Sequence, residues 1–182
     1  MPAETSSKIR FSGTDLKSRS RGHHTMNPTV YIETTIISYL TARPSKDLIV
    51  AGHQQITTEW WEEVRPKVDC FVSPFVIQEA SRGDSAMVAK RLESIANIPV
   101  LEQNETVDEL AQRYFAKMSI PEQAKIDAFH LAIAAAYEMD YLLSWNCRHI
   151  ASAHVQRTIQ KLNEGFEMQT PIMCTPEALM EV

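Results

Sequence analysis

Four side chains of this sequence carry oxygen donors suited to one hard cation: Glu33, Glu79, Asp127 and Asn146. Carboxylate and amide oxygens select Mg²⁺ or Mn²⁺ over softer metals. Three carboxylates crowded together repel, and their pKa values rise unless a cation neutralises them. A cation held this way can activate water and offset charge on a phosphoryl group. Each residue also has an ordinary alternative. An acid in the first turn of a helix, as Asp127 is expected to be, favours the helix dipole, and an acid at a strand end is at home in solvent.

Bringing these residues together is the task of the elements around them. Short β-prone runs lie at residues 29–32, 68–72, 99–101, 141–145 and 172–174, separated by segments of helical period. The helical segments are 34–42, 46–65, one opening at Ser73-Pro74, 84–95, 105–118, one around Asp127, and 151–163. Ser45 is expected to cap the second, Ser73 the third, and Gly165 to stop the last. Around Asp127, Ile126, Phe129, Ile133 and Tyr137 form an apolar stripe with the acid beside it. Strands alternating with helices imply an α/β domain with a parallel sheet covered on both faces. In such sheets ligands bind beyond the carboxyl ends of the strands. Glu33 closes the first strand, Glu79 lies in the second turn of the helix after the second, and Asn146 ends the strand at 141–145. Asp127 sits on the helix feeding that strand, so all four residues are expected at one rim.

The 182-residue chain has net charge −5. Residues 1–26 are basic, with Lys8, Arg10, Lys17, Arg19 and Arg21 against Glu4 and Asp15, which leaves the remainder more acidic still. An acidic body is not the footprint of a protein that grips nucleic acid by charge alone. Residues 1–26 are polar and aperiodic and are read as a disordered N-terminal extension, with Met26 an alternative start. Residues 27–182 are read as one domain. No apolar run reaches the roughly 18 residues of a membrane span, and no secretory h-region precedes the first strand. Cys70, Cys147 and Cys174 lack CxxC spacing, which points to reduced thiols and a cytoplasmic protein without a zinc site. The five glycines form neither a P-loop nor a dinucleotide fingerprint, and there is no G-x-S-x-G. His130 is placed either to touch Asp127 or to lie buried and satisfied. Trp60 falls on an apolar stripe and is expected in the core.

The blocks VYIETTIISYLTAR, SPFVIQEASRG, AKIDAFHLAIAAAYEMDYLLSWNCRHIA and CTPEALM together resemble a PIN domain of the VapC toxin type over residues 28–181. The resemblance implies a three-layer fold around about five parallel strands and an Mg²⁺- or Mn²⁺-dependent endoribonuclease, the toxin of a type II toxin–antitoxin pair. It implies that Glu33, Glu79, Asp127 and Asn146 are the metal and catalytic positions, with Thr34 the hydroxyl residue that follows the first acid. It implies an RNA substrate, a cognate antitoxin contacting the early helices near Trp61, and a homodimer. Two positions depart from the pattern: Glu33 and Asn146 stand where Asp is usual. His149 occupies a place where some relatives carry an acid. These departures keep a catalytically weak PIN module that binds RNA or protein as the alternative, beside a PIN-like nuclease of RNA processing.

Overall fold

The computed structural model describes residues 10–11, 27–118 and 120–181. Val30, Tyr31 and Ile32 are β-prone and wholly buried, and they form most of a strand over Thr29–Ile32. Successive strand residues point to opposite faces, so burial of all three means that both faces are covered. With Arg10–Phe11 as β1 and Thr29–Ile32 as β2, the remaining strands are β3 (Asp69–Phe71), β4 (Val100–Leu101), β5 (Tyr141–Leu143) and β6 (Ile172–Cys174). Four of them run parallel in the order β3-β2-β5-β6. A parallel bridge between Val72 and Val100 joins β4 to the chain leaving β3. The Leu101 N–H donates there to the Val72 carbonyl at 2.8 Å. The five strands expected after residue 27 are therefore present, four in one ladder and a fifth held by a bridge. β1 pairs with β4, and the rest of the expected extension lies outside the described residues.

Parallel strands need crossovers, and helices provide them. They are α1 (Thr34–Thr41), α2 (Leu48–Glu63), α3 (Pro74–Ala80), α4 (Ser85–Ser94), α5 (Glu105–Met118), α6 (Lys125–Ala136) and α7 (Ala153–Glu164). Asp47, not Ser45, caps α2: its carboxylate accepts from the N–H groups of Ile49 and Val50, while Ser45 Oγ accepts from Asp47 N–H. A carboxylate that reaches two orphan N–H groups outcompetes a hydroxyl two residues further out. Along α5, Val107, Leu110, Ala111, Tyr114 and Met118 are buried at helical spacing, and the Tyr114 hydroxyl donates to Asn163 Oδ1 of α7 at 2.5 Å.

The apolar stripe predicted on α6 understates its burial. Ala128, Leu131, Ala132, Ile133, Ala134 and Ala135 are all fully buried, as is His130. The alanines make this possible, because small side chains let neighbouring backbones come close on several sides. Trp60 is in the core, as expected. No helix among the described residues is long and apolar enough to cross a membrane.

A candidate metal centre at the rim of the sheet

Glu33 follows β2 directly and becomes the N-cap of α1. Its N–H donates to the Leu143 carbonyl at 3.0 Å, which extends the β2–β5 ladder by one residue and fixes its backbone. Its side chain is clamped as well. Oε2 accepts from Thr35 N–H at 3.1 Å, Thr35 Oγ1 at 2.5 Å and Ser144 Oγ at 2.7 Å. Both hydroxyls are themselves held, since Trp145 N–H donates to Thr35 Oγ1 at 2.8 Å and Asn146 N–H to Ser144 Oγ at 2.9 Å. All three bonds fall on one oxygen. The residue is only 4% exposed. Burial raises the Glu33 pKa from its ordinary value; the positive His130 and then the hydrogen bonds from Thr35 and Ser144 offset part of that rise.

Glu79 reaches the same place from α3, whose N-terminus Ser73 caps with Pro74 in the first turn. Its Oε2 accepts from Thr34 Oγ1 at 2.5 Å and lies 3.0 Å from His130 Nε2. The imidazole is fixed from behind: Nδ1 lies 2.7 Å from the Tyr31 hydroxyl, which lies 2.7 Å from Ser73 Oγ. Burial alone would lift Glu79, but the hydrogen bond and charge of His130, then Thr34 and Arg82, bring it below its ordinary value. Burial pulls His130 down, and the hydrogen bond to Glu79 with the charges of Glu33, Glu79 and Asp127 outweighs it, so its pKa is raised.

One ligand atom each from Glu33, Glu79 and His130 lie within 4.8 Å of one another. Asp127 and Asn146 form a second set beside this group. His149 Nδ1 lies 2.9 Å from Asp127 Oδ2, and His149 N–H donates to Asn146 Oδ1 at 3.0 Å. Two links join the sets: the charge of Asp127 acts on His130, and the Ser144 hydroxyl touches both Glu33 and the N–H of Asn146. The structure therefore brings Glu33, Glu79 and Thr34 together directly, and ties Asp127 to Asn146 through His149. His130 is buried and satisfied, with Glu79 and Tyr31 as its partners. Asn146 does not end a strand. β5 stops at Leu143, and the Asn146 carbonyl accepts from the N–H groups of Ile150 and Ala151 in the turn that follows.

The donor set fits a divalent ion. An almost wholly buried carboxylate, a second carboxylate and a ring nitrogen offer donors within 4.8 Å of one another. Thr35, Ser144 and Tyr31 are the members that the sequence did not reveal. Tyr31 carries the readable signal, a hydroxyl between the apolar Val30 and Ile32.

Solved structures share the fold. The chain matches one from the VapBC2 structure of Rickettsia felis, bound to a DNA fragment from their promoter, with a TM-score of 0.52 at 11% identity. That match covers 81% of this chain and 98% of that one. VapC20 of Mycobacterium tuberculosis, a Sarcin-Ricin loop cleaving toxin, matches with a TM-score of 0.50 at 13% identity, over 66% of this chain and 92% of that one. The likeness is one of fold, and it is the PIN-like α/β fold of VapC-type toxin structures. No protein-family model and no curated protein matches the sequence.

Proposed function

We propose that the protein is a divalent-metal-dependent endoribonuclease acting as the toxin of a toxin–antitoxin pair in the cytoplasm. The observation that carries this reading is the meeting of buried Glu33 with Glu79 and His130 at one rim of a PIN-like sheet. A divalent ion bound there would lower the pKa of a water molecule and offset charge on the phosphoryl group. Glu33 and Glu79 hold the ion. Thr34 keeps Glu79 turned into the site. Asp127 and Asn146, linked through His149, would help to hold the ion and a water beside it. Arg148, on the exposed turn after Asn146, and Lys125, at the start of α6, meet the RNA phosphates. The products carry 5′-phosphate and 3′-hydroxyl ends. VapC20 is described as cleaving the Sarcin-Ricin loop, which supports a structured RNA as substrate. VapBC2 was solved bound to a DNA fragment from their promoter, which supports an antitoxin partner. A homodimer belongs to the same reading.

The test is incubation of the purified chain with structured RNAs and Mg²⁺ or Mn²⁺. Cleavage is expected for the wild type and lost in Asp127→Asn; cleavage that survives this change undiminished removes the proposal. The replacement of Asp by Glu33 and Asn146 favours a second reading, a catalytically weak module that binds RNA or protein. Metal-dependent cleavage decides against it.

A further inference from the structure

We propose that His130 is a metal ligand through Nε2, making this a mixed oxygen–nitrogen site that selects Mn²⁺ over Mg²⁺. The inference rests on the metal-dependent reading above and specifies its cofactor. Three observations support it. First, the atoms are close enough. His130 Nε2 and Glu79 Oε2 are 3.0 Å apart, the separation of two adjacent octahedral ligands each about 2.1 Å from an ion. The Glu33 donor completes a set spanning no more than 4.8 Å.

Second, the ring is prepared as metal-bound imidazoles are. A ligating histidine has its other nitrogen fixed by a hydrogen-bonding partner behind it, which sets tautomer and orientation. Here that partner is the fully buried Tyr31 hydroxyl, 2.7 Å from Nδ1 and anchored in turn by Ser73. With Nδ1–H donating to Tyr31, the Tyr31 hydroxyl donates to Ser73 Oγ, and Nε2, whose proton bonds Glu79 when no ion is bound, is the nitrogen that would give up that proton to a metal. Third, the donors that lie within 4.8 Å of one another are those of Glu33, Glu79 and His130, while Asp127 stands outside that group with its Oδ2 on His149.

The metal preference follows from the ligand. Mg²⁺ is a hard ion that takes oxygen and keeps its waters. Imidazole nitrogen suits transition ions, and among the two ions considered for this chemistry only Mn²⁺ is one.

The experiment is pulsed electron paramagnetic resonance on the full chain loaded with Mn²⁺, with calorimetry of Mn²⁺ and Mg²⁺ binding alongside. Nitrogen modulation from a directly coordinated imidazole is expected in the wild type, kept in His149→Gln and lost in His130→Gln. Mn²⁺ is expected to bind at least tenfold more tightly than Mg²⁺, with the ratio reduced in His130→Gln. Bound Mn²⁺ without nitrogen modulation overturns the inference. So does modulation that disappears in His149→Gln, which assigns the nitrogen to the wrong ring. RNA cleavage with either result leaves the nuclease reading standing. Failure of the wild type to bind Mn²⁺ at all removes the metal centre itself, and both readings with it.

Discussion

Tyr31 and His130 lie 99 positions apart in the chain and share a 2.7 Å hydrogen bond between two fully buried side chains. The bond joins the middle of the central strand to the helix that carries Asp127. Replacing Tyr31 by Phe keeps the ring and its packing but leaves His130 Nδ1 and Ser73 Oγ short of a partner. A buried polar group left unpaired costs about 1–3 kcal/mol, and loss of an outer-shell contact costs roughly 10–100-fold in metal affinity. Denaturant unfolding and Mn²⁺ calorimetry on Tyr31→Phe should show both effects. An unchanged affinity would mean that the ring needs no support from behind.

Glu79→Gln removes a charged donor from the set itself. Metal affinity should fall by more than the roughly 10–100-fold of an outer-shell change, and RNA cleavage should fall with it. The cleavage assay should be run at saturating Mn²⁺, where a residual loss reports on chemistry and not on occupancy.

The Glu79–His130 pair also makes stability depend on pH in the absence of metal. The His130 pKa is raised in the fold, so its contribution is complete below the ordinary value of 6.5 and is lost as pH rises through the raised value. The Glu79 pKa is lowered, so its contribution is complete above 4.5 and is lost as pH falls through the lowered value. Glu33 opposes the second trend, because burial raises its pKa and protonation relieves it. The melting-temperature gap between wild type and His130→Gln should be widest between about pH 4.5 and 6.5 and should narrow in mild alkali. A gap that does not vary with pH would show that the pair is not charged in the fold.

Thiol labelling should separate the three cysteines. Burial pushes Cys70 and Cys174 up to about 12, so little thiolate is present at neutral pH. Cys147 is exposed in the turn after Asn146. Peptide mapping after brief alkylation should find label on Cys147 before either of the others.

Leu131→Ala should test the core and leave the site's ligands in place. Leu131 is fully buried on α6, and truncation of such a side chain costs about 2–5 kcal/mol. Urea unfolding gives the number. A cost below 1 kcal/mol would mean that the alanine-rich helix closes over the gap.

The strands and helices were readable because their periods were clear and their breaks fell at Pro and Gly. Ser73-Pro74 marked the start of α3, and Gly165 the end of α7. Sequence alone does not decide the cap of α2, because Ser45 and Asp47 both carry acceptors, and only folded geometry shows which one meets Ile49 and Val50. At the site, Glu33 and Glu79 could be placed from strand order alone. The partners of His130 could not, since Tyr31 is 99 positions away and Glu79 is 51. Local spacing offered only Asp127, one turn back, which turns to His149 instead. β5 is also shorter than its apolar run suggests. Ser144 and Trp145 are buried like strand residues, and burial of that kind reads as continued alternation.

The hydroxyl of Ser144 reaches Glu33 only because Ile32 stands opposite Leu143 in the β2–β5 pairing. Sliding one strand past the other by a single residue would turn Ser144 to the opposite side and release the carboxylate. Readiness for chemistry is thus written into the alignment of the two middle strands, among the last parts of a fold to open. Amide exchange at Glu33 should therefore be as slow as anywhere in the sheet.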